Sequence, residues 1–425
     1  MDILIVGGGI GGLCLAHGLL NTGLSVRVFE RQSSPSDSLA GYGIHLDPLG
    51  LQALKACLPS ENWQQIESIS THAGAAVTFR DEYLDVLAVR DESMLSGKSV
   101  NEVELRGIGR LELRDILLNG LNRPDRTIVE WGKEYTHYEN LPDGRLKIYF
   151  TDGTSAEGDL LVGADASNSK VRKQYLPGLK RIDLGILSIA GRYIIQEENK
   201  QELPLPLTDG SLNNIVPAGL GWMFVTSLRS RPANVAGEVQ PMEDYVIWAF
   251  VGPQDRYPEG AKDLSGTLSL RDFVLDQIAE WSPDIKLMVS KSEVSTIAAV
   301  PLRSMPKLDP WQPSNVTLIG DAIHNMTPMA GAGANTALRD AQLLRDKLVE
   351  VITGRKQLIT AIAEYEATMR HYANHVVGWS RKFAEGANSS SRLSRWFFRL
   401  LLRLANAYPA VMRATIGRSP KISDD

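Results

Sequence analysis

A chain of 425 residues, 43% hydrophobic and 22% charged, has the balance of an ordinary globular protein of two or three domains, which excludes disordered and collagen-like classes. Its formal net charge of −5 provides no overall basic surface, so nucleic acid is not an expected partner. Two cysteines, Cys14 and Cys57, are too few for a disulfide framework or a cysteine-rich zinc site, and no run of apolar residues is long enough to predict a spanning helix.

The first elements read as strand, helix, strand: a buried apolar run at 2–6, a helix over 10–22 and a second strand at 25–30, the start of a parallel β-α-β arrangement. A strand beginning at once after Asp2 leaves no room for a signal peptide, which with the cysteine count points to a cytoplasmic setting. Between the first strand and helix, Gly7, Gly9 and Gly12 form G-x-G-x-x-G. In that context the first glycine permits the tight turn, the second lets a pyrophosphate approach the backbone, and the third lets helix and strand pack closely. Glu30 ends the second strand, where a carboxylate accepts from the hydroxyls of an adenosine ribose and repels a 2'-phosphate. Arg31 beside it is read with it as cofactor-binding. The pattern admits NAD or FAD and disfavours NADP at this position.

Asp47-Pro48 then has the form of a helix N-cap and first position, and another helix is predicted over 110–121. Asp143-Gly144 and Asp152-Gly153 separate alternating runs around Leu146, Ile148 and Phe150, which predicts a β-meander ending in a strand at 160–163. The pattern changes over 182–300, with strand-like runs at 186–195, 221–228 and 244–251 and a helix at 270–281, the pattern of a separate antiparallel sheet. An apolar strand returns at 316–319, followed by a glycine-rich turn and helices over 335–351 and 359–383. His371 and His375 are spaced i, i+4 but lack a third ligand, so no metal site is expected. After a serine-rich break, the tail over 392–418 alternates arginines with Trp396, Phe397, Phe398, Leu400, Leu401 and Leu404. Its apolar face, Trp396, Leu400 and Leu404, is expected to dock on the protein's own domains rather than on a membrane.

The glycine-rich turn reads Gly320-Asp321-Ala322-Ile323-His324, then Pro328, then Gly331-Ala332-Gly333-Ala334-Asn335. With the first motif, it makes the chain resemble the single-component FAD-dependent aromatic hydroxylases over most of residues 1–378. That family comprises the para-hydroxybenzoate and salicylate hydroxylase type and the tetracycline-inactivating monooxygenases. The resemblance implies an α/β fold: a discontinuous Rossmann-type FAD-binding domain (1–75, 101–175 and 300–378), an antiparallel β-sheet substrate domain (76–100 and 176–299) and a C-terminal helical segment (379–425).

It further implies that Asp321 bonds the ribitol of FAD, that Pro328 lies beside the flavin ring, and that Gly331, Gly333, Ala334 and Asn335 present backbone amides to its pyrimidine end. Amides at a helix start suit the negative charge of a reduced flavin. Gly163-Ala164-Asp165-Ala166 through Arg172 matches a second family motif, which makes Asp165 a contact near the pyrophosphate and the incoming nicotinamide nucleotide. Ala166 stands where glycine is usual; if the position needs a positive φ, alanine is strained there. Arg110 matches an arginine that reaches FAD, and 41–45, with Gly43 and His45, falls at a mobile loop beside the flavin. His45 is read as orienting substrate or moving a proton, and Arg192 as facing the flavin and steadying a phenolate or carboxylate.

The activity so implied is monooxygenation: NAD(P)H reduces FAD, O2 forms a flavin C4a-hydroperoxide, and an electron-rich aromatic or polycyclic substrate is hydroxylated or epoxidised. A reductase or halogenase on the same scaffold, or a flavoprotein that only sequesters a ligand, is the alternative. Trp222, Phe224, Tyr245, Trp248 and Phe250 are the expected aromatic surface of the substrate domain, with alternate strand positions facing opposite sides.

Overall fold

The first thirty residues fold as their pattern predicts. Strand β1 (Asp2–Val6) is paired in parallel with β2 (Ser25–Phe29), with Ile5 opposite Val28, and helix α1 (Ile10–Leu20) connects them. Ile3, Leu4 and Ile5 are fully buried, as expected for a parallel strand covered on both faces. The structure is a computed structural model that describes residues 1–35, 43–72, 76–91, 105–228, 244–388 and 391–415. The chain divides into two units, each assembled from three segments. Unit 1 takes Met1–Ser68, Ile108–Ile182 and Ser304–Ser380; unit 2 takes Ile69–Gly107, Asp183–Arg303 and Arg381–Asp425.

Unit 1 is built on a five-stranded parallel sheet. To β1 and β2 it adds β3 (Val129–Glu130), β4 (Leu160–Gly163) and β5 (Val316–Leu318), in the order β5-β4-β1-β2-β3. Helix α2 (Pro48–Cys57) begins as predicted, with the Asp47 carboxylate accepting from the Gly50 amide at 2.8 Å. Helix α3 (Arg110–Leu118) is shorter than the expected 110–121. The meander lies where the Asp-Gly turns put it, with strands Tyr135–Asn140, Leu146–Phe150 and Ser155–Gly158 paired antiparallel. Helices α4 (Lys170–Tyr175), α5 (Asp321–His324), α6 (Gly333–Ile352) and α7 (Leu358–Ala387) complete the unit, although the end of α7, from Arg381, belongs to unit 2. A helix at Ser60–Ile69 was not expected from the sequence.

Unit 2 carries a seven-stranded sheet in the order Ala298–Ser304, Ile182–Ile194, Tyr245–Pro253, Trp222–Leu228, Leu212–Ile215, Ala76–Arg80, Val86–Asp91. The expected antiparallel pairing does not hold throughout, because Leu212–Ile215 lies parallel to Ala76–Arg80, with Asn213 opposite Thr78. Those two strands come from different passes of the chain through the unit, so no hairpin turn fixes their relative direction. One face of the sheet packs Ile189, Tyr193, Met223, Val225, Trp248 and Phe250 against helices Leu268–Gln277 and Pro283–Ser290. The second helix escaped the sequence reading, although Ser282-Pro283 repeats the start signal seen at Asp47-Pro48 and the Ser282 hydroxyl accepts from the Asp284 amide.

Helix α8 (Arg392–Ala407) also belongs to unit 2 and docks by a different face from the expected one. Arg395 donates to the Gly221 carbonyl at 2.8 Å and the Ala387 carbonyl at 3.0 Å. Arg399 pairs with Glu82 at 2.7 Å and Asp81 at 3.2 Å. Phe398 lies against Trp222, and Leu402 and Ala405 are buried. The inward side is selected by two arginines that find acceptors, and it turns Trp396, Leu400 and Leu404 outward at 58%, 38% and 43% exposure. Among the described residues no helix is long and apolar enough to cross a membrane.

Candidate functional site

The three motif glycines behave differently, each according to its surroundings. Gly7 has φ +116°, and a Cβ there would lie 2.3 Å from the Ala164 carbonyl oxygen. A Cβ on Gly12 would lie 2.2 Å from the Gly7 oxygen, so these two are required by the fold itself. A Cβ on Gly9 meets nothing within 4 Å. Gly9 is also the N-cap of α1 and supplies no capping side chain, so no side-chain cap takes up the first amides of the helix. Glu30 closes the other side: its Oε2 accepts from the Gly8 amide at 2.7 Å and its Oε1 from Gln32 at 3.0 Å. Arg31 beside it is exposed. A turn with an uncapped helix start, an open Gly9 and a fixed carboxylate can receive a pyrophosphate and its ribose.

The second turn follows β5. Gly320 adopts φ +60° and ψ −144°, a region open to glycine, and its amide donates to Asp340 Oδ2 at 2.7 Å. That same oxygen lies 2.6 Å from His324 Nε2, while Asp340 Oδ1 accepts from the Tyr372 hydroxyl at 2.5 Å. Asp340 and His324 are fully buried. Burial opposes a charged imidazole, but the Asp340 carboxylate beside it outweighs this and raises the His324 pKa. The cluster anchors the turn from below and leaves Asp321 exposed above it. Asp340 was missed by the sequence reading; only its position on the inward face of the expected helix could have drawn attention to it.

Pro328 is exposed at the start of a short 3-10 turn that ends at Gly331, which has φ +64°. Helix α6 begins at Gly333 behind an N-cap, Ala332, that makes no side-chain cap. Gly333, Ala334 and Asn335 therefore lie on the uncapped first turn of a 20-residue helix. The Asn335 side chain accepts from the Asp47 amide at 3.1 Å and donates to the His45 carbonyl at 2.8 Å, tying that segment to α6. Gly43 and His45 are partly buried in this segment, whereas Gly41 and Tyr42 lie outside the described residues. Burial pushes the His45 imidazole pKa down to about 4, which favours the neutral ring.

The motif at 163–172 joins the two turns. Asp165 Oδ2 accepts from the Lys170 and Val171 amides at 2.7 and 3.2 Å, capping α4, while no hydrogen bond reaches its buried Oδ1 from the described residues. Burial raises the Asp165 pKa despite these hydrogen bonds. Ala166 does adopt the left-handed conformation, with φ +61°. Arg172, also unremarked in the sequence, is buried and donates to the carbonyls of Ala322 at 2.6 Å and Ser167 at 2.9 Å. Arg110 is exposed at the first position of α3. One turn later Arg114 is buried, donates to Gln32 Oε1 at 2.6 Å and Pro35 O at 3.2 Å, and lies over the Trp131 ring.

Arg192 lies in unit 2 with its guanidinium 4.8 Å from the Tyr245 ring centre. It shares the sheet face of Trp222, Phe224 and Tyr245, opposite the helix-covered core. Trp248 and Phe250, expected as pocket surface, are instead part of that core, because strand alternation turns them inward.

Two helix starts without side-chain caps, an open glycine and a fixed acid make unit 1 fit a dinucleotide such as FAD. The comparisons with known proteins agree. Residues 237–380 match an FAD binding domain, and residues 5–66 an NAD(P)-binding Rossmann-like domain. The chain is 42% identical to a solved structure from Photorhabdus luminescens described as a FAD-containing monooxygenase, covering 91% of this chain and 98% of that one, with a TM-score of 0.82. It is 31% identical to a dual O-methyltransferase/FAD-dependent monooxygenase of Cercospora beticola over 90% of this chain and 46% of that protein. An FAD-dependent urate hydroxylase of Klebsiella oxytoca is 27% identical, covering 86% of this chain and 85% of its own. The chain spans about half the length of the first curated relatives it matches.

Proposed function

The chain belongs to the FAD-dependent monooxygenases, and on that premise we propose that it binds one FAD non-covalently in unit 1 and uses NAD(P)H and O2 to oxygenate an electron-rich aromatic or polycyclic small molecule. The observation that carries this reading is the convergence in one unit of two uncapped helix starts and the Glu30 carboxylate at the three sequence motifs. Glu30 accepts the adenosine ribose hydroxyls, the amides at the start of α1 hold the pyrophosphate, and Asp321 takes the ribitol. The amides of Gly331 to Asn335 stabilise negative charge at the pyrimidine end. Arg110, exposed and at the start of its helix, supplies a further cation to the cofactor. When bound, FAD supplies the electron transfer from the nicotinamide nucleotide and the activation of O2.

Unit 2 is the substrate domain in this reading. Its face with Phe224, Tyr245 and Arg192 offers aromatic surface beside a guanidinium, suited to an aromatic ring bearing a phenolate or carboxylate. The 6-methylsalicylate in the name of one relative is of that kind, and the urate in the name of another is an anionic heterocycle. The nicotinamide nucleotide is a transient visitor in this reading, since the described residues form one Rossmann-type unit. The two unpaired cysteines fit a cytoplasmic enzyme.

The test begins with a screen of phenols, salicylates, purines and polycyclic quinones for stimulated NADPH or NADH oxidation. Any compound turned over is then supplied with 18O2, and one labelled oxygen atom in the product is the expected result. Turnover without label, or equally fast without oxygen, assigns the scaffold to a reductase or halogenase. Acid denaturation should release the flavin into solution.

A further inference from the structure

We propose that the outward face of helix α8 is a docking surface for an anionic lipid bilayer, holding the protein peripherally at the membrane. Leu393, Trp396, Phe397, Leu400 and Leu404 are spaced i, i+3, i+4, i+7 and i+11, which places them on one stripe of the helix. They are 65%, 58%, 55%, 38% and 43% exposed. A stripe of five large apolar side chains facing water is uncommon on a protein without a partner for it. The helix does not need this face for its own docking, because Arg395, Phe398, Arg399, Leu402 and Ala405 supply the inward contacts. The inward side is thus satisfied by mixed polar and apolar contacts, and the outward stripe is apolar for a separate reason.

Charge selects the occupant. Residues 392–415 contain five arginines and neither lysine nor acid, in a chain whose formal charge is −5. Arg395 and Arg399 are engaged inside unit 2, whereas Arg392, Arg403 and Arg413 are exposed. On the helix wheel Arg392 and Arg403 border one edge of the apolar stripe, so a surface that receives Trp396 and Leu400 also meets both guanidinium groups. A cationic edge beside a Trp- and Phe-bearing apolar face is the pattern of a helix lying in the plane of a bilayer, its rings at headgroup level. A second copy of the same stripe would bring like charges together, which disfavours self-association through this face.

The experiment uses the full-length, flavin-loaded protein with sucrose-loaded vesicles of pure phosphatidylcholine or of phosphatidylcholine with phosphatidylglycerol. Wild type is expected to co-sediment with the anionic vesicles about tenfold more strongly than with the neutral ones, and less so in high salt. Trp396→Ser combined with Leu400→Ser should abolish sedimentation while flavin content and thermal midpoint stay at the wild-type values, because both side chains point away from the unit. Arg392→Glu combined with Arg403→Glu should remove the preference for anionic lipid while sparing the apolar stripe. Absence of wild-type sedimentation overturns the proposal. So does vesicle binding that survives both double variants, or concentration-dependent dimerisation that the Trp396→Ser, Leu400→Ser pair removes.

Discussion

Ala166 is held at φ +61°, where an alanine side chain meets its own backbone. The left-handed conformation costs a non-glycine residue about 1–2 kcal/mol, and glycine's greater freedom in the unfolded chain cancels part of that. Ala166→Gly is therefore expected to stabilise the protein by up to about 1 kcal/mol, read as a higher urea midpoint; a lower midpoint would show that the strain is already relieved. The strain was readable in the sequence because a glycine position carried alanine. Asp340 left no such trace: nothing in its spacing announces that it will meet Gly320, His324 and Tyr372 at once. Asp340→Asn should remove the carboxylate that raises the His324 pKa and loosen the turn that presents Asp321. We expect about 2–4 kcal/mol of lost stability and a FAD dissociation constant raised at least tenfold, measured by flavin fluorescence on protein that still folds.

At the scale of the element, the start of α1 separates binding from folding. Gly9→Ala places its Cβ in open space, so the unloaded protein should keep its thermal midpoint while FAD binding falls. Gly12→Ala drives a Cβ to 2.2 Å from the Gly7 carbonyl and should cost several kcal/mol or prevent soluble expression. Equal effects of the two substitutions on the unloaded protein would refute this division. Elements were legible where one local signal dominated: the glycine turns, the Asp47 cap, the Asp-Gly meander and the long periodic helices α6 and α7. They were not legible where the decisive partner lies far along the chain. The parallel pairing of Leu212–Ile215 with Ala76–Arg80 joins strands from separate passes, and the side of α8 that docks depends on Asp81, Glu82 and Gly221. Amphipathic spacing shows that a helix has a face; it does not show which of two faces finds acceptors.

For the whole molecule, stability should depend on pH through a buried carboxyl on α7. Glu366 is 1% exposed and accepts from the Thr317 hydroxyl on β5 at 2.9 Å, and burial raises its pKa from the ordinary 4.5 to about 7. The fold thus favours the protonated acid. Its contribution is fully present below pH 4.5 and is lost as pH rises through about 7. Glu366→Gln, which keeps the shape without the charge, should be more stable than wild type by about 1–3 kcal/mol at pH 8 and nearly equal to it at pH 5. Denaturant midpoints at the two pH values decide this, and a variant weaker at pH 8 would mean that the ionised form has partners that compensate its burial. The segmentation of the chain has a consequence in time. In unit 1 the central strand β1 is made first, but the outer strand β5 is not reached until residues 316–318. A ribosome moving at about 5–20 residues per second needs roughly 15–60 s to get there. Until then β4 presents an unpaired parallel edge, and the segments of both units already released wait for neighbours not yet synthesised. Neither unit can finish before the other has begun, so the nascent chain carries its greatest exposure to misassociation through most of its own synthesis.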